Sequence, residues 1–344
     1  MSSVVSLQEL VASFDDITAV GSRLVGWPVV SATPVRRGGN NRLFLLAGNG
    51  TRAALKLYPP QSEDPRDRLG QEFATLSFLH REGIEDVPRP LACDRAAGCA
   101  AYAWIDGTPP ERISAADVDE LARFFIRLQE LRERDGADQI PAASAACISP
   151  AMVADQLTDR LDRLGQVVSP GTEVAAFMAA QVVPAAAAAI ERLRSASDAG
   201  GTAFATPLPR SLLVLSPSDF GFHNALRRPC GRLAFVDFEY FGWDDPAKAI
   251  ADVMLHPGMA LPTELAQRYR AKVEAALAPI DSGLSFRIDL LFPSMVLIWC
   301  LILLNEFLPE RWIRRAIAGQ GDDRKAVQAR QLQKARDMFS RSFG

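Results

Sequence analysis

Thiols and imidazoles are scarce in this chain. Its five cysteines (Cys93, Cys99, Cys147, Cys230 and Cys300) form no Cys-x-x-Cys pair, and their number is odd. That argues against a disulfide framework and for reduced thiols in a cytoplasmic protein. There are three histidines, His80, His223 and His256, and no His-Glu-x-x-His run, so a zinc site is not expected. An excess of one charge is also missing. Lys and Arg number 38 against 41 Asp and Glu, a formal net charge of −3. No basic field exists to attract nucleic acid. The start, Met1 to Ser6, has no charged segment followed by an apolar core, so no signal peptide is expected. No internal repeat or long linker appears. One apolar run, Leu290 to Leu304, contains Pro293, Ser294 and Cys300 and is shorter than the roughly 20 residues of a spanning helix. Asp289 is expected to cap its start, with Pro293 in the first turn. It reads as a buried helix and not as a membrane span.

What is present suffices for a packed core in one large domain or two lobes, with 48% hydrophobic residues in 344. A helical pattern starts at Ser6, with Leu7, Leu10, Val11, Phe14 and Ile17 on one face. Strands are expected over 28–35, 42–47, 52–58, 87–93 and 99–105, with a helix over 67–81. Together they would form a five-stranded antiparallel sheet plus a helix. From Ser114 the chain reads as mainly helical, with segments over 151–164, 172–197, 246–255, 263–277, 289–307 and 323–339. The alanine run 185–189 is helix filler.

Several residues stand out. Lys56 lies in an apolar strand, where a charge is costly unless paired. Glu72 sits among the apolar residues of the following helix. Gly38-Gly39-Asn40 permits tight turns and free amides that can cradle phosphate, or it is a plain hairpin turn. The segment around which the rest is organised is Leu215 to Asn224, followed by Leu233 to Tyr240. Asp219 and Asn224 are five apart, and Asp237 ends an apolar run. Phosphoryl transfer needs a carboxylate to orient a hydroxyl, and oxygen ligands to hold magnesium against phosphates.

Asp219, Asn224 and Asp237-Phe238-Glu239 resemble the catalytic loop and metal-binding strand of the aminoglycoside phosphotransferase and choline kinase superfamily. Asp237-Phe238-Glu239-Tyr240 looks like the choline and ethanolamine kinase branch, and Gly242-Trp243-Asp244-Asp245-Pro246 like the aminoglycoside branch. The resemblance implies an α+β, bilobal protein-kinase-like fold. Residues 1–106 would be the nucleotide-binding lobe, with a hinge at its end, and 107–344 a mainly helical catalytic and acceptor-binding lobe. It implies ATP and Mg2+, with the γ-phosphate passing to a hydroxyl of a small molecule: an amino alcohol, a sugar or an aminoglycoside-like compound. Asp219 would orient the hydroxyl, Asn224 and Asp237 would bind metal, and Lys56 held by Glu72 would meet the phosphates. Gly38, Gly39 and Asn40 would cover the phosphates, and the backbone of Ala103 to Ile105 would meet adenine. Glu239 has two readings: contact with a second metal or an acceptor amine, or a bond that orients the loop. His223 touches acceptor or phosphate, or is a structural loop residue. Glu239, Asp244 and Asp245 together would suit a cationic acceptor.

Two positions depart from the family pattern. Its histidine before the catalytic aspartate is Pro217 here, with Ser218 in place of glycine. The acid three residues beyond Pro246 is Ala249. Proline has no amide hydrogen to give, so the two losses can be coupled, with Asp252 as a substitute brace. The departures also motivate an alternative, a catalytically silent nucleotide-binding scaffold. A protein kinase fits less well, because no Ala-Pro-Glu motif follows Asp237.

Overall fold

The structure, a computed structural model, describes residues 14–35, 42–60, 66–199, 204–312 and 323–344. The chain divides into two compact units. The first is Met1–Glu111 with Phe222–Phe241, and the second is Arg112–Gly221 with Gly242–Gly344.

The first unit begins its described part with helix α1 (Phe14–Val25). Five strands follow: β1 (Ser31–Val35), β2 (Arg42–Gly48), β3 (Thr51–Leu57), β4 (Pro90–Asp94) and β5 (Cys99–Ala103). They form one antiparallel sheet in the order β1-β2-β3-β5-β4. Alternation along β3 sets its two faces. Ala53, Leu55 and Leu57 are fully buried in a core shared with Ile17 of α1 and Leu46 of β2. Lys56 therefore points to the other face, opposite Leu43 and Ala100 in the register. Helix α2 (Arg68–Arg81) is capped by Asp67, whose side chain accepts the Gly70 amide at 2.9 Å. Its buried face carries Arg68, Glu72, Leu76 and Leu79, the i, i+4 and i+3 positions of one stripe.

The segment 222–241 groups with this unit, unlike a division at residue 106. Hydrogen bonds explain why. Strands β7 (Ala225–Arg227) and β8 (Leu233–Phe235) form a hairpin. Thr108 and Arg227 exchange backbone bonds at 3.1 and 2.7 Å, and the Phe235 amide donates to the Asp86 carbonyl at 2.8 Å. A side chain on Gly107 would run into the Arg227 backbone, so this approach requires glycine.

The second unit is mainly helical. Its helices are α3 (Ala115–Gln129), α4 (Pro150–Val167), α5 (Glu173–Phe177), α6 (Val183–Ala199), α7 (Pro246–Leu255), α8 (Thr263–Leu277), α9 (Leu284–Leu303) and α10 (Arg324–Phe343). Ser114 and Asp117 form a capping box on α3. A π-turn (Met178–Val182) joins α5 to α6, just before Pro184, which has no amide hydrogen for a regular turn. Strands β6 (Val214–Ser216) and β9 (Gly242–Asp244) pair antiparallel.

Helix α9 packs against α4, α6, α7 and α10. It starts earlier than the sequence suggested, at Leu284, with Gly283 as N-cap and Pro293 in its interior. Asp289 is thus no cap. Pro293 cannot donate to the Asp289 carbonyl, and Arg192 Nη2 of α6 donates there instead, at 3.3 Å. Among the described residues two stretches, Glu173–Ala196 and Leu284–Phe307, are long and apolar enough to cross a membrane, and 67% of the 18-residue apolar window in the second is buried inside the fold.

Candidate active site

In the first unit one buried cluster gathers Lys56, Glu72, Asp237 and Glu239. Lys56 Nζ lies 2.6 Å from Glu72 Oε2, 2.6 Å from Asp237 Oδ1 and 3.2 Å from Glu239 Oε2. Glu72 also accepts from Tyr58 Oη at 2.7 Å and, through Oε1, from the Phe238 amide at 3.1 Å. One helix residue therefore grips both the strand lysine and the backbone that follows Asp237. Tyr58 Oη and Tyr102 Oη lie 2.7 Å apart behind it. Arg68 Nη1 donates to Glu239 Oε1 at 2.8 Å, and the Arg66 and Arg68 guanidinium groups lie over the Tyr240 ring.

The electrostatics follow from this crowding. Burial works against the Lys56 ammonium, but Asp237, Glu72 and Glu239 outweigh it and hold its pKa well above the lysine value. Burial raises the Asp237 carboxyl. Lys56 opposes the rise, Glu239 and Glu72 add to it, and the result is about 7. Burial likewise pushes the Tyr58 and Tyr102 phenols up. Asp237 has a left-handed backbone, φ 71°, a conformation that costs a non-glycine residue free energy and is over-represented at functional sites.

Asn224 ends the short turn Phe222–Asn224 before β7, and its carbonyl accepts the Val236 amide at 2.9 Å. The hairpin thus fixes Asn224 beside the residue preceding Asp237. His223 lies in the same turn, half-buried. Asn224 and Asp237 offer hard oxygen donors, which fit magnesium. Gly38, Gly39 and Asn40 lie outside the described residues. The Ala103 amide is committed to the Arg89 carbonyl at 2.8 Å. Ile105 lies beyond the end of β5, half-buried.

In the second unit Asp219 follows β6 through a tight turn. Its amide donates to the Pro217 carbonyl at 2.9 Å around Ser218, which has φ 67°. The Ser218 amide donates to Ser216 Oγ at 3.1 Å, and Ser218 Oγ donates to the Ser144 carbonyl at 3.2 Å. Serines thus brace this loop. The Asp252 carboxylate does not bond this loop directly, because its oxygens accept from Lys248 Nζ at 2.7 Å and Trp299 Nε1 at 3.0 Å. Asp219 Oδ1 faces His256 Nε2 at 3.3 Å.

The acids thought to suit a cationic acceptor are already paired with cations of the chain. Asp244 is fully buried, 2.9 Å from Lys248 Nζ, and accepts the Cys147 amide at 3.0 Å. Asp245 caps α7 and pairs with Arg287 at 3.2 Å. Glu239 is tied to Arg68 and Lys56. Each of these carboxylates already has a partner within the chain.

A sequence model described as the phosphotransferase enzyme family matches residues 31–281. The chain belongs to that family. Solved structures of similar fold agree with the family assignment. A spectinomycin phosphotransferase, in complex with ADP and spectinomycin, has TM-score 0.60 at 12% identity, covering 94% of this chain and 98% of its own. The choline kinase of Cryptosporidium parvum Iowa II has TM-score 0.57 at 14% identity, covering 96% of each chain. An aminoglycoside phosphotransferase in a ternary complex with streptomycin and ATP has TM-score 0.56 at 15% identity, covering 94% of this chain and 97% of its own. No curated protein matches by sequence. At these identities the likeness shows the fold, which is the kinase-like α+β architecture expected.

Sequence reasoning missed four participants in this phosphotransferase-family chain. Arg68 is four residues before Glu72, and Tyr58 is two after Lys56, so helical and strand periodicity held both signals. Tyr102 of β5 and His256 had no such local signal.

Proposed function

We propose that this chain transfers the γ-phosphate of ATP to a hydroxyl group of a small molecule in the cytoplasm. The observation that carries the reading is the buried cluster in which Glu72 holds both Lys56 and the Phe238 amide beside Asp237. An internal salt bridge alone does not need a left-handed aspartate. The chain spacing of Asp219, Asn224 and Asp237 and ADP or ATP in the solved complexes of similar fold support it. The free thiols suit a reducing compartment.

In this reading Asp219 accepts the proton of the attacking hydroxyl and orients its oxygen. Lys56 swings from Asp237 toward phosphate oxygens, while Glu72 keeps hold of its ammonium. Asn224 and Asp237 would hold magnesium, which when bound neutralises phosphate charge and fixes its orientation. The protein's contribution is then position and fixed charge. With Glu239, Asp244 and Asp245 paired internally, acceptor choice rests on shape and hydrogen bonding and not on a field of acids.

The test is magnesium-dependent ATP consumption against amino alcohols, sugars, amino-acid alcohols and aminoglycosides, with Asp219→Ala as the blank. Phosphorylated product that disappears in the variant supports the reading. ATP bound tightly without turnover of any acceptor would instead favour a silent scaffold.

A further inference from the structure

We propose that His256 is a positioning residue for Asp219. Its neutral imidazole donates the Nε2 hydrogen to the Asp219 carboxylate and fixes the direction of that base. The inference rests on the phosphotransfer reading, which gives Asp219 its task.

His256 Nε2 lies 3.3 Å from Asp219 Oδ1. The other ring nitrogen is already used, because the Gly258 amide donates to Nδ1 at 3.1 Å. An amide can donate only to a nitrogen with a free lone pair, so Nδ1 carries no proton and Nε2 does. Of the two ring nitrogens, the protonated Nε2 is therefore the one beside Asp219. A doubly protonated ring would break the Gly258 bond, so the geometry favours a neutral donor over an imidazolium. A neutral donor orients a carboxylate and depresses its basicity less than a cation would.

The ring itself is held. His256 immediately follows α7, and its amide donates to the Asp252 carbonyl at 3.0 Å. Trp299 of α9 packs edge-on against the imidazole, with centroids 4.8 Å apart and planes at 76°. Trp299 Nε1 is anchored on Asp252 Oδ1 at 3.0 Å. Asp252 is tied to the buried Lys248, and Lys248 to Asp244. Each link thus limits the freedom of the next, from a buried ion triad to the side chain of Asp219. Pro217, two residues before Asp219, has no amide hydrogen and no polar side chain that could supply the same restraint.

The experiment uses the full chain, with His256→Ala, His256→Gln and Asp219→Asn. Glutamine places an amide hydrogen near the Nε2 position. Imidazole nitrogen resonances are recorded by NMR, and kcat and KM are measured with the acceptor found in the panel above. We expect a neutral, Nε2-protonated His256 in the wild type, with resonances that move in Asp219→Asn. His256→Ala should lose about 10- to 100-fold in kcat, with KM for ATP changed by less than about twofold. His256→Gln should recover most of the loss.

Unmoved His256 resonances in Asp219→Asn would overturn the proposal. So would a His256→Ala enzyme with wild-type kcat, or a His256→Gln enzyme as impaired as the alanine variant. If no acceptor is turned over even by the wild type while Asp219→Asn still moves the resonances, the phosphotransfer reading is what fails. The bond then stands without its catalytic task.

Discussion

Lys56 Nζ stands 2.6 Å from Asp237 Oδ1, inside a cluster where two cations, Lys56 and Arg68, face three carboxylates, Glu72, Asp237 and Glu239. Burial, and then Glu239 and Glu72 against the opposing Lys56, raise Asp237 from 3.8 to about 7. Between those values folded Asp237 binds a proton that the unfolded chain has released. Its contribution to stability therefore falls as pH rises through the window and stays low above about 7. Asp237→Asn should raise the melting temperature at pH ~8 and raise it less at pH ~5, while activity is lost. Thermal unfolding of both proteins at the two pH values checks this. A variant less stable than wild type at the higher pH would mean that the Lys56 ion pair outweighs the burial cost.

A proton on Asp237 also competes with a metal ion. Magnesium-dependent nucleotide binding should weaken below the Asp237 pKa of about 7, approaching tenfold per pH unit. Calorimetry of magnesium-nucleotide binding in two buffers of different ionisation enthalpy should report proton release near neutral pH. Asp237→Asn should abolish that release. Equal affinity at pH ~6 and ~8 would show that Asp237 does not exchange its proton for the metal.

Glu72 offers a separate test, because charge and hydrogen bonding can be split. Glu72→Ala leaves Lys56, Tyr58 and the Phe238 amide without the acceptor that each now uses. Unfolding in urea should register a loss of about 3–5 kcal/mol, as for other broken buried pairs. Glu72→Gln keeps an oxygen for the Phe238 amide and evens the charge count, so its loss should be nearer ~1–2 kcal/mol. Both should lower kcat by about 10- to 100-fold, since Lys56 and Asp237 lose a shared anchor. Equal stability losses would show that charge alone governs the site.

How much of this could be read from sequence depended on the range of the cause. Lys56 was legible because a lone charge in an apolar strand demands a partner, and Glu72 because the resembled family pairs that lysine with a glutamate on the next helix. The five strands followed from alternation and turns. Arg68 and Tyr58 obeyed the same periodicities and could have been found by stepping four and two residues from Glu72 and Lys56. Asp244 and Asp245 were misleading because a turn acid looks the same whether it faces water or, as here, Lys248 and Arg287. Pro293 fits a first helical turn by local rules, yet the helix runs through it because Arg192 reaches the carbonyl left without a donor. The contact of His256 with Asp219 joins residues far apart in the chain, and no local pattern encodes it. The expected phosphate loop, Gly38 to Asn40, lies outside the described residues.

Ser218 bears directly on how firmly Asp219 is placed. With φ 67° it adopts a backbone that disfavours side chains, at a cost of about 1–2 kcal/mol. Against that, its Oγ donates to the Ser144 carbonyl at 3.2 Å, a bond worth about 1 kcal/mol. Ser218→Gly removes both the strain and the bond, so its stability should stay within about 1 kcal/mol of wild type. Ser218→Ala keeps the strain and loses the bond, and should be less stable by about 1 kcal/mol. Denaturant unfolding of the two variants separates these effects. The order matters more than either value: glycine should be the more stable substitution. Activity should run the other way if the Ser144 bond holds the loop still, with both variants slower than wild type although one is no less stable. An alanine variant as stable as glycine would mean that the turn relaxes out of the left-handed region once the Ser144 bond is gone.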